Sequence, residues 1–306
     1  MFVMRSTRDW PGVAGFMVCL LAACTAFATN IAWAEPGSPA ALALLEQYTG
    51  MEVPLRQSAY GRPLVLHSAE ASRGLKGDVY AVVAYPIKAV SGGLKSPEHW
   101  CEVMMLHINT KYCRAVVGPQ TTSLRVFIGQ KTQQDLTDVP QVNFSYRETA
   151  ATPHYFAITL LANDGPLSTS DYRIELEAVA VSDNKTFLHL SYAYDVGLAG
   201  RLAMQAYLAT VGADKVGFTQ TGQLPDGEPK FIGGVRGVVE RNAMRYFLAI
   251  ESYLATQNLP PEKLPEARLQ NWFTAVERYP RQLHDMDRAA YLTMKRAEHA
   301  RQRTAF

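Results

Sequence analysis

Residues 99–113, HWCEVMMLHINTKYC, hold two cysteines, two histidines, a glutamate and a lysine in one short stretch. Such side chains can coordinate zinc, supply a thiolate nucleophile or close a disulfide. A zinc site would take His99, Cys101, His107 and Cys113. Their spacing, H-x-C-x5-H-x5-C, matches no recurrent zinc pattern, and a helix through this stretch would put Cys101 and His107 on roughly opposite sides. A thiolate with His107 as base would face a second cysteine able to consume it. The choice among the three turns on the redox compartment.

The N-terminus bears on that compartment. Arg5 and Arg8 precede an apolar run, GVAGFMVCLLAACTAFATNIAWA (12–34), that ends on Ala32-Trp33-Ala34. A basic start, an apolar middle and an A-x-A end describe a secretory signal peptide over 1–34, and hence a periplasmic protein. The competing reading is a membrane helix, since the run approaches the roughly 20 residues that span a bilayer. Leu21-Ala22-Ala23-Cys24 also resembles a lipobox, which would give a form anchored through Cys24. Cys19 and Cys24 leave with the signal, so Cys101 and Cys113 are the remaining pair. In an oxidising compartment one pair is most often joined, and a 101–113 disulfide is the favoured reading.

Charge excludes one class of partner. The 30 Lys+Arg against 28 Asp+Glu make a near-neutral chain, with no basic face of the kind nucleic acid requires. No G-x-S-x-G, H-E-x-x-H or phosphate loop occurs, and neither a cofactor nor a metal is expected.

The elements that must position these residues follow from periodicity and breakers. SPAALALLEQYTG (38–50) reads as a helix stopped by Gly50. Ser96 is an N-cap with Pro97 at the first helical position, which predicts a helix over 97–107 with Trp100, Val103, Met104 and His107 on one face. From 111 to 194 short runs rich in Val, Tyr and Phe are separated by turn residues, as in an antiparallel meander. Tyr172, Ile174, Leu176 and Ala178 alternate with Arg173, Glu175 and Glu177, one dry face and one wet, so the two glutamates read as solvated charge. Residues 198–210 read as a helix, and KVGFTQTG with PKFIGG as a hairpin. The strongest helical signal is 235–257, with Val235, Val239, Ala243, Tyr246, Ile250 and Tyr253 along one stripe; Arg236/Glu240 and Arg241/Arg245 opposite read as surface charge. Beyond the Pro-rich NLPPEKLPEA, two helical stripes form an appendage ending in a basic, frayed KRAEHARQR that could touch an anionic membrane surface.

The order strand, proline, short apolar segment, Pro97, Trp100 in VYAVVAYPIKAVSGGLKSPEHW resembles the opening of START-like (polyketide cyclase/Bet v 1-like) helix-grip domains. The resemblance implies an α+β fold in which an antiparallel β-sheet grips a long C-terminal amphipathic helix, here 235–257. It spans about 62–257, after a signal (1–34) and an N-terminal helix and linker (35–61), and before a C-terminal helical extension (258–306) with no counterpart in the basic fold. It also implies a cavity between sheet and helix for a hydrophobic small molecule or lipid. Trp100, His107, Phe144, Tyr146, Tyr172 and Tyr246 are its candidate lining, with simple core filling as the competing role. The expected function is a periplasmic, non-enzymatic binding or transfer protein for such a ligand. Two alternatives stand beside it: an enzyme using His107, His189 or Glu240 as acid–base groups, and a cell-envelope protein docking a partner through its C-terminal helices.

Overall fold

The computed structural model describes residues 37–210 and 212–304; the signal peptide, Cys19 and Cys24 lie outside them. Eight strands form one antiparallel sheet: β1 (Leu64–Glu70), β2 (Gly74–Val83), β3 (Thr110–Val117), β4 (Thr122–Ile128), β5 (Gln141–Ala151), β6 (Tyr155–Asp164), β7 (Thr169–Ser182) and β8 (Lys185–Val196). Their order is β1-β2-β8-β7-β6-β5-β4-β3, so the meander from β3 to β8 closes back onto β2. The period-two pattern of β7 sets its faces as read: Ile174, Leu176 and Ala178 are fully buried, while Arg173 is exposed.

On one face lie α2 (Ile87–Leu94), α3 (Pro97–Leu106) and the long α5 (Gly234–Leu254). Ser96 caps α3, its hydroxyl accepting from the Glu98 amide at 3.2 Å, with Pro97 next. Gly77 of β2 brings α5 close, because a Cβ there would meet Ala243 Cβ at 3.0 Å and the Val239 carbonyl at 3.2 Å. On the other face α1 (Pro39–Arg56) packs Leu44 and Leu55 with Tyr80, Tyr155, Val179 and Phe187. α1 therefore runs through Gly50 and even Pro54, where a stop at Gly50 was expected; the buried Leu55 ties its last turn to the sheet. Helix α4 (Leu198–Ala209) and the hairpin β9 (Gln220–Gln223) and β10 (Pro229–Phe231) fill the connection from β8 to α5.

The C-terminal helices pack against the rest of the fold. α6 (Leu264–Val276), α7 (Pro280–Leu283) and α8 (Arg288–Thr304) place Leu269, Trp272 and Tyr291 in the same hydrophobic core as Val239 and Phe247 of α5. This cover explains a second departure from expectation. Glu240, Arg241 and Arg245, read as surface charge, are buried, because α5 is enclosed on both sides. The basic end of the chain is a third: Lys295 and Glu298 are fully buried against β3, not frayed. β3 is a sheet edge, and Gln302 of α8 covers it, accepting from the Cys113 amide at 2.9 Å and donating to its carbonyl at 2.6 Å. The result is an α+β fold, an antiparallel sheet gripping a long helix that is itself roofed by the chain's C-terminal segment.

Candidate functional site

Cys101 and Cys113 are joined as a disulfide, which ties α3 to β3 and takes both thiols out of the zinc and nucleophile readings. His99 is spent as well, its Nδ1 lying 2.9 Å from the Gly93 carbonyl. Among the described residues no group of three His, Cys, Asp or Glu side chains is placed to hold a metal ion.

Of the six candidate lining residues, Phe144, Tyr146 and Tyr172 lie on strands, Trp100 on α3, His107 at its C-terminal end and Tyr246 on α5. Trp100 is fully buried and donates its indole N–H to the Leu94 carbonyl at 2.7 Å, while the Tyr146 hydroxyl donates to the Lys95 carbonyl at 2.6 Å. Both thus fasten the α2–α3 corner. His107 stacks on Tyr246 at 4.8 Å, Tyr246 meets Tyr192 at 5.3 Å, and Tyr172 lies 5.3 Å from Tyr194 and 6.2 Å from Phe144. This is one continuous aromatic layer, and none of the six lines either of the two pockets described next.

The acid–base candidates are engaged. Glu240 accepts from the Phe218 and Thr219 amides at 2.5 and 2.9 Å and from the Ser68 and Thr219 hydroxyls at 2.5 and 2.6 Å. The carboxylate clamps the segment before β9 to α5. His107 accepts from the Asn109 amide at 3.2 Å, and burial, reinforced by the Arg245 and Lys295 charges, holds its pKa well below the ordinary value. His189 sits on the opposite face between Asp78 (Nε2, 2.8 Å) and Glu177 (Nδ1, 3.4 Å) and stacks on Tyr80 at 4.4 Å. Burial opposes its protonation, but the two carboxylates prevail and raise its pKa. Glu177, read from sequence as solvated, also accepts from the Tyr155 hydroxyl at 2.5 Å.

Open volume lies at the two ends of α5. Under α4 is a pocket of 430 Å³ whose apolar wall is built from Leu75, Val196, Met204, Leu208, Ile232 and Val235. Arg201, Arg236 and Glu70 stand in the same lining. Arg236 donates from Nη2 to the Ser68 carbonyl at 3.0 Å, and Arg201 bonds the Ser72 carbonyl, so both cations are held in place. At the other end, between α6 and the end of β2, a groove of 830 Å³ runs past Tyr60, Tyr85, Tyr279 and the Arg62–Glu251 ion pair. Sequence reasoning identified the 198–210 helix but gave it no role. A signal was present: Met204/Leu208 and Leu198/Leu202 are two apolar pairs at i, i+4 on different sides, more than one buried face requires. Leu198 and Leu202 are 78% and 60% exposed, and Leu167 of the neighbouring β6–β7 turn is 78% exposed.

No family model matches the chain, and no curated protein matches it. Solved structures do show likeness. A conserved protein from Geobacillus kaustophilus matches 60% of this chain and 96% of its own at 14% identity, with a TM-score of 0.35. The Zhui aromatase/cyclase from Streptomyces sp. R1128 matches 68% and 95% at 12% identity, with a TM-score of 0.31. Human StAR-related lipid transfer protein 5 matches 56% and 89% at 8% identity, with a TM-score of 0.30.

Proposed function

We propose that the chain is an exported, non-enzymatic binding or transfer protein for a hydrophobic, lipid-like ligand, acting in the periplasm and holding that ligand beneath α4. One observation carries the reading: α4 turns Met204 and Leu208 into an apolar pocket while presenting Leu198 and Leu202 to the outside. A helix apolar on both sides, over a pocket of ligand size, suits a cover through which a water-insoluble molecule enters from an apolar surface. Among the described residues no helix is long and apolar enough to cross a membrane. Export rests on the basic, apolar and A-x-A pattern of residues 1–34.

The enzymatic alternative is weaker because Glu240 and His189 are committed to structural bonds and His107 is sealed in the core. The partner-docking alternative loses the apolar stripes that suggested it, since Leu269, Trp272 and Tyr291 are already buried by the chain itself. Native mass spectrometry of protein purified from its own periplasm, followed by solvent extraction, tests the proposal. An apolar molecule bound one per chain, and lost in a folded Met204→Trp variant that fills the pocket, is expected; consistently empty wild-type protein would sink it.

A further inference from the structure

The groove at the C-terminal end of α5 differs in chemistry from the pocket under α4. Its lining alternates rings with polar groups: Tyr60, Tyr85 and Tyr279 against Asn271, Arg278 and the Arg62–Glu251 pair. Arg62 is neutralised by Glu251, to which it is bonded through both terminal nitrogens. Arg278 and Asn271 are exposed and make no side-chain hydrogen bond among the described residues, so the groove keeps one uncompensated positive charge. Burial raises the pKa of all three tyrosines, so their phenols stay protonated at physiological pH, that of Tyr279 donating to the Tyr60 carbonyl at 3.4 Å. An acyl chain laid here would strip water from an amide, a carboxylate and a guanidinium without replacing their hydrogen bonds. A pyranose ring meets the lining differently: its C–H faces stack on tyrosine, its hydroxyls bond the amide and carboxylate, and a ring carboxylate pairs with arginine. The volume of 830 Å³ is ample for one or two such rings.

We infer that this groove is a second ligand site, for a saccharide carrying a carboxylate, with Arg278 reading the charge and Asn271 and the tyrosines reading the ring. The inference is independent of the apolar ligand beneath α4. Glucuronic acid and glucose, titrated into the mature protein by calorimetry and by saturation-transfer NMR, test it. Expected are saturable binding of glucuronic acid and binding of glucose weaker by about tenfold, the equivalent of one charge-assisted hydrogen bond. Arg278→Ala should bring glucuronic acid down to the glucose level, and Asn271→Ala should weaken both sugars. Both positions are exposed, so the variants should fold, as their circular dichroism will show. Met204→Trp should leave sugar binding unchanged. Absence of saturable glucuronic acid binding, equal affinity for the two sugars, or indifference to both alanine variants would overturn the site.

Discussion

Lys111 of β3 and Glu298 of α8, 187 residues apart, meet at 3.0 Å with both side chains fully buried. The other carboxylate oxygen of Glu298 receives Lys295 at 2.6 Å. Lys295 in turn donates to the His107 and Thr110 carbonyls at 3.2 and 2.7 Å, and Lys111 to the Ile108 carbonyl at 3.2 Å. The turn from α3 into β3 is therefore held from within by two lysine amines that share one carboxylate, and burial lowers the pKa of both. With the Cys101–Cys113 bridge a few residues away, this corner binds the C-terminal roof to the helix-grip body.

Removing that carboxylate leaves two buried lysine amines without their shared partner. Glu298→Gln should cost about 3–5 kcal/mol, read as a lower urea midpoint, whereas a surface change such as Arg296→Gln should stay within about 0.5 kcal/mol. Truncation after residue 257 exposes the core face now covered by Trp272 and Tyr291 and should abolish cooperative unfolding altogether. A truncated chain with a wild-type midpoint would show that the roof is dispensable.

Asp285 gives the fold an acid limit. Burial alone would raise its pKa, but Arg245 (2.6 Å), Lys131 (2.5 Å) and Lys215 (3.6 Å) pull it down to about 2. Because the folded value lies below the unfolded one, the unfolded chain binds the proton first as pH falls. The contribution of Asp285 is thus complete above about pH 4 and lost progressively toward pH 2. Asp285→Asn should lower stability at neutral pH and flatten that part of the acid transition; equal slopes in wild type and variant between pH 4 and 2 would refute the assignment.

How much of this was legible in the sequence depends on whether a residue's role is set locally. The N-cap at Ser96, the alternation of β7 and the length of α5 are written in nearest-neighbour chemistry, whereas the helix-grip arrangement of these elements was implied only by the resemblance that their order carries. Arg245 and Glu240 were not legible. Their i, i+4 neighbours describe an ordinary wet helix face, and only Asp285 and the Phe218–Thr219 segment, distant in sequence, make those charges buried and paired. The same holds for Glu177, whose alternation places it outward correctly but cannot announce that Tyr155 and His189 arrive beside it from β6 and β8. The pockets were hardest to read, because an opening is defined by what fails to pack; the aromatic residues that looked suited to line one instead form a layered core.

The disulfide should be structural rather than redox-active. Cys101 and Cys113 are 5% and 2% exposed, so alkylation of native protein should be negligible and the oxidised mass should lie two hydrogens below the reduced one. Replacing both cysteines by alanine should cost about 3 kcal/mol through the freed chain entropy of the unfolded state. Stoichiometric labelling of the folded, unreduced protein would contradict the bridge.

The outer leucines of α4 predict how the protein meets a membrane. Leu198 and Leu202 are exposed and pack on little, so Leu198→Ser with Leu202→Ser should change folding stability by less than about 1 kcal/mol. Sinking both into the acyl boundary of a bilayer would gain about 1.5–3 kcal/mol each at full burial, and even partial immersion makes their loss worth at least about tenfold in partition. Arg201 on the same helix is turned to the pocket and held by the Ser72 carbonyl, so the partition should be apolar in origin, no stronger on vesicles containing phosphatidylglycerol than on neutral ones and little changed by salt. Co-sedimentation of wild type and the double variant with such vesicles measures both effects. If the two partition equally, entry through the α4 cover is wrong, and the pocket would have to fill by another route.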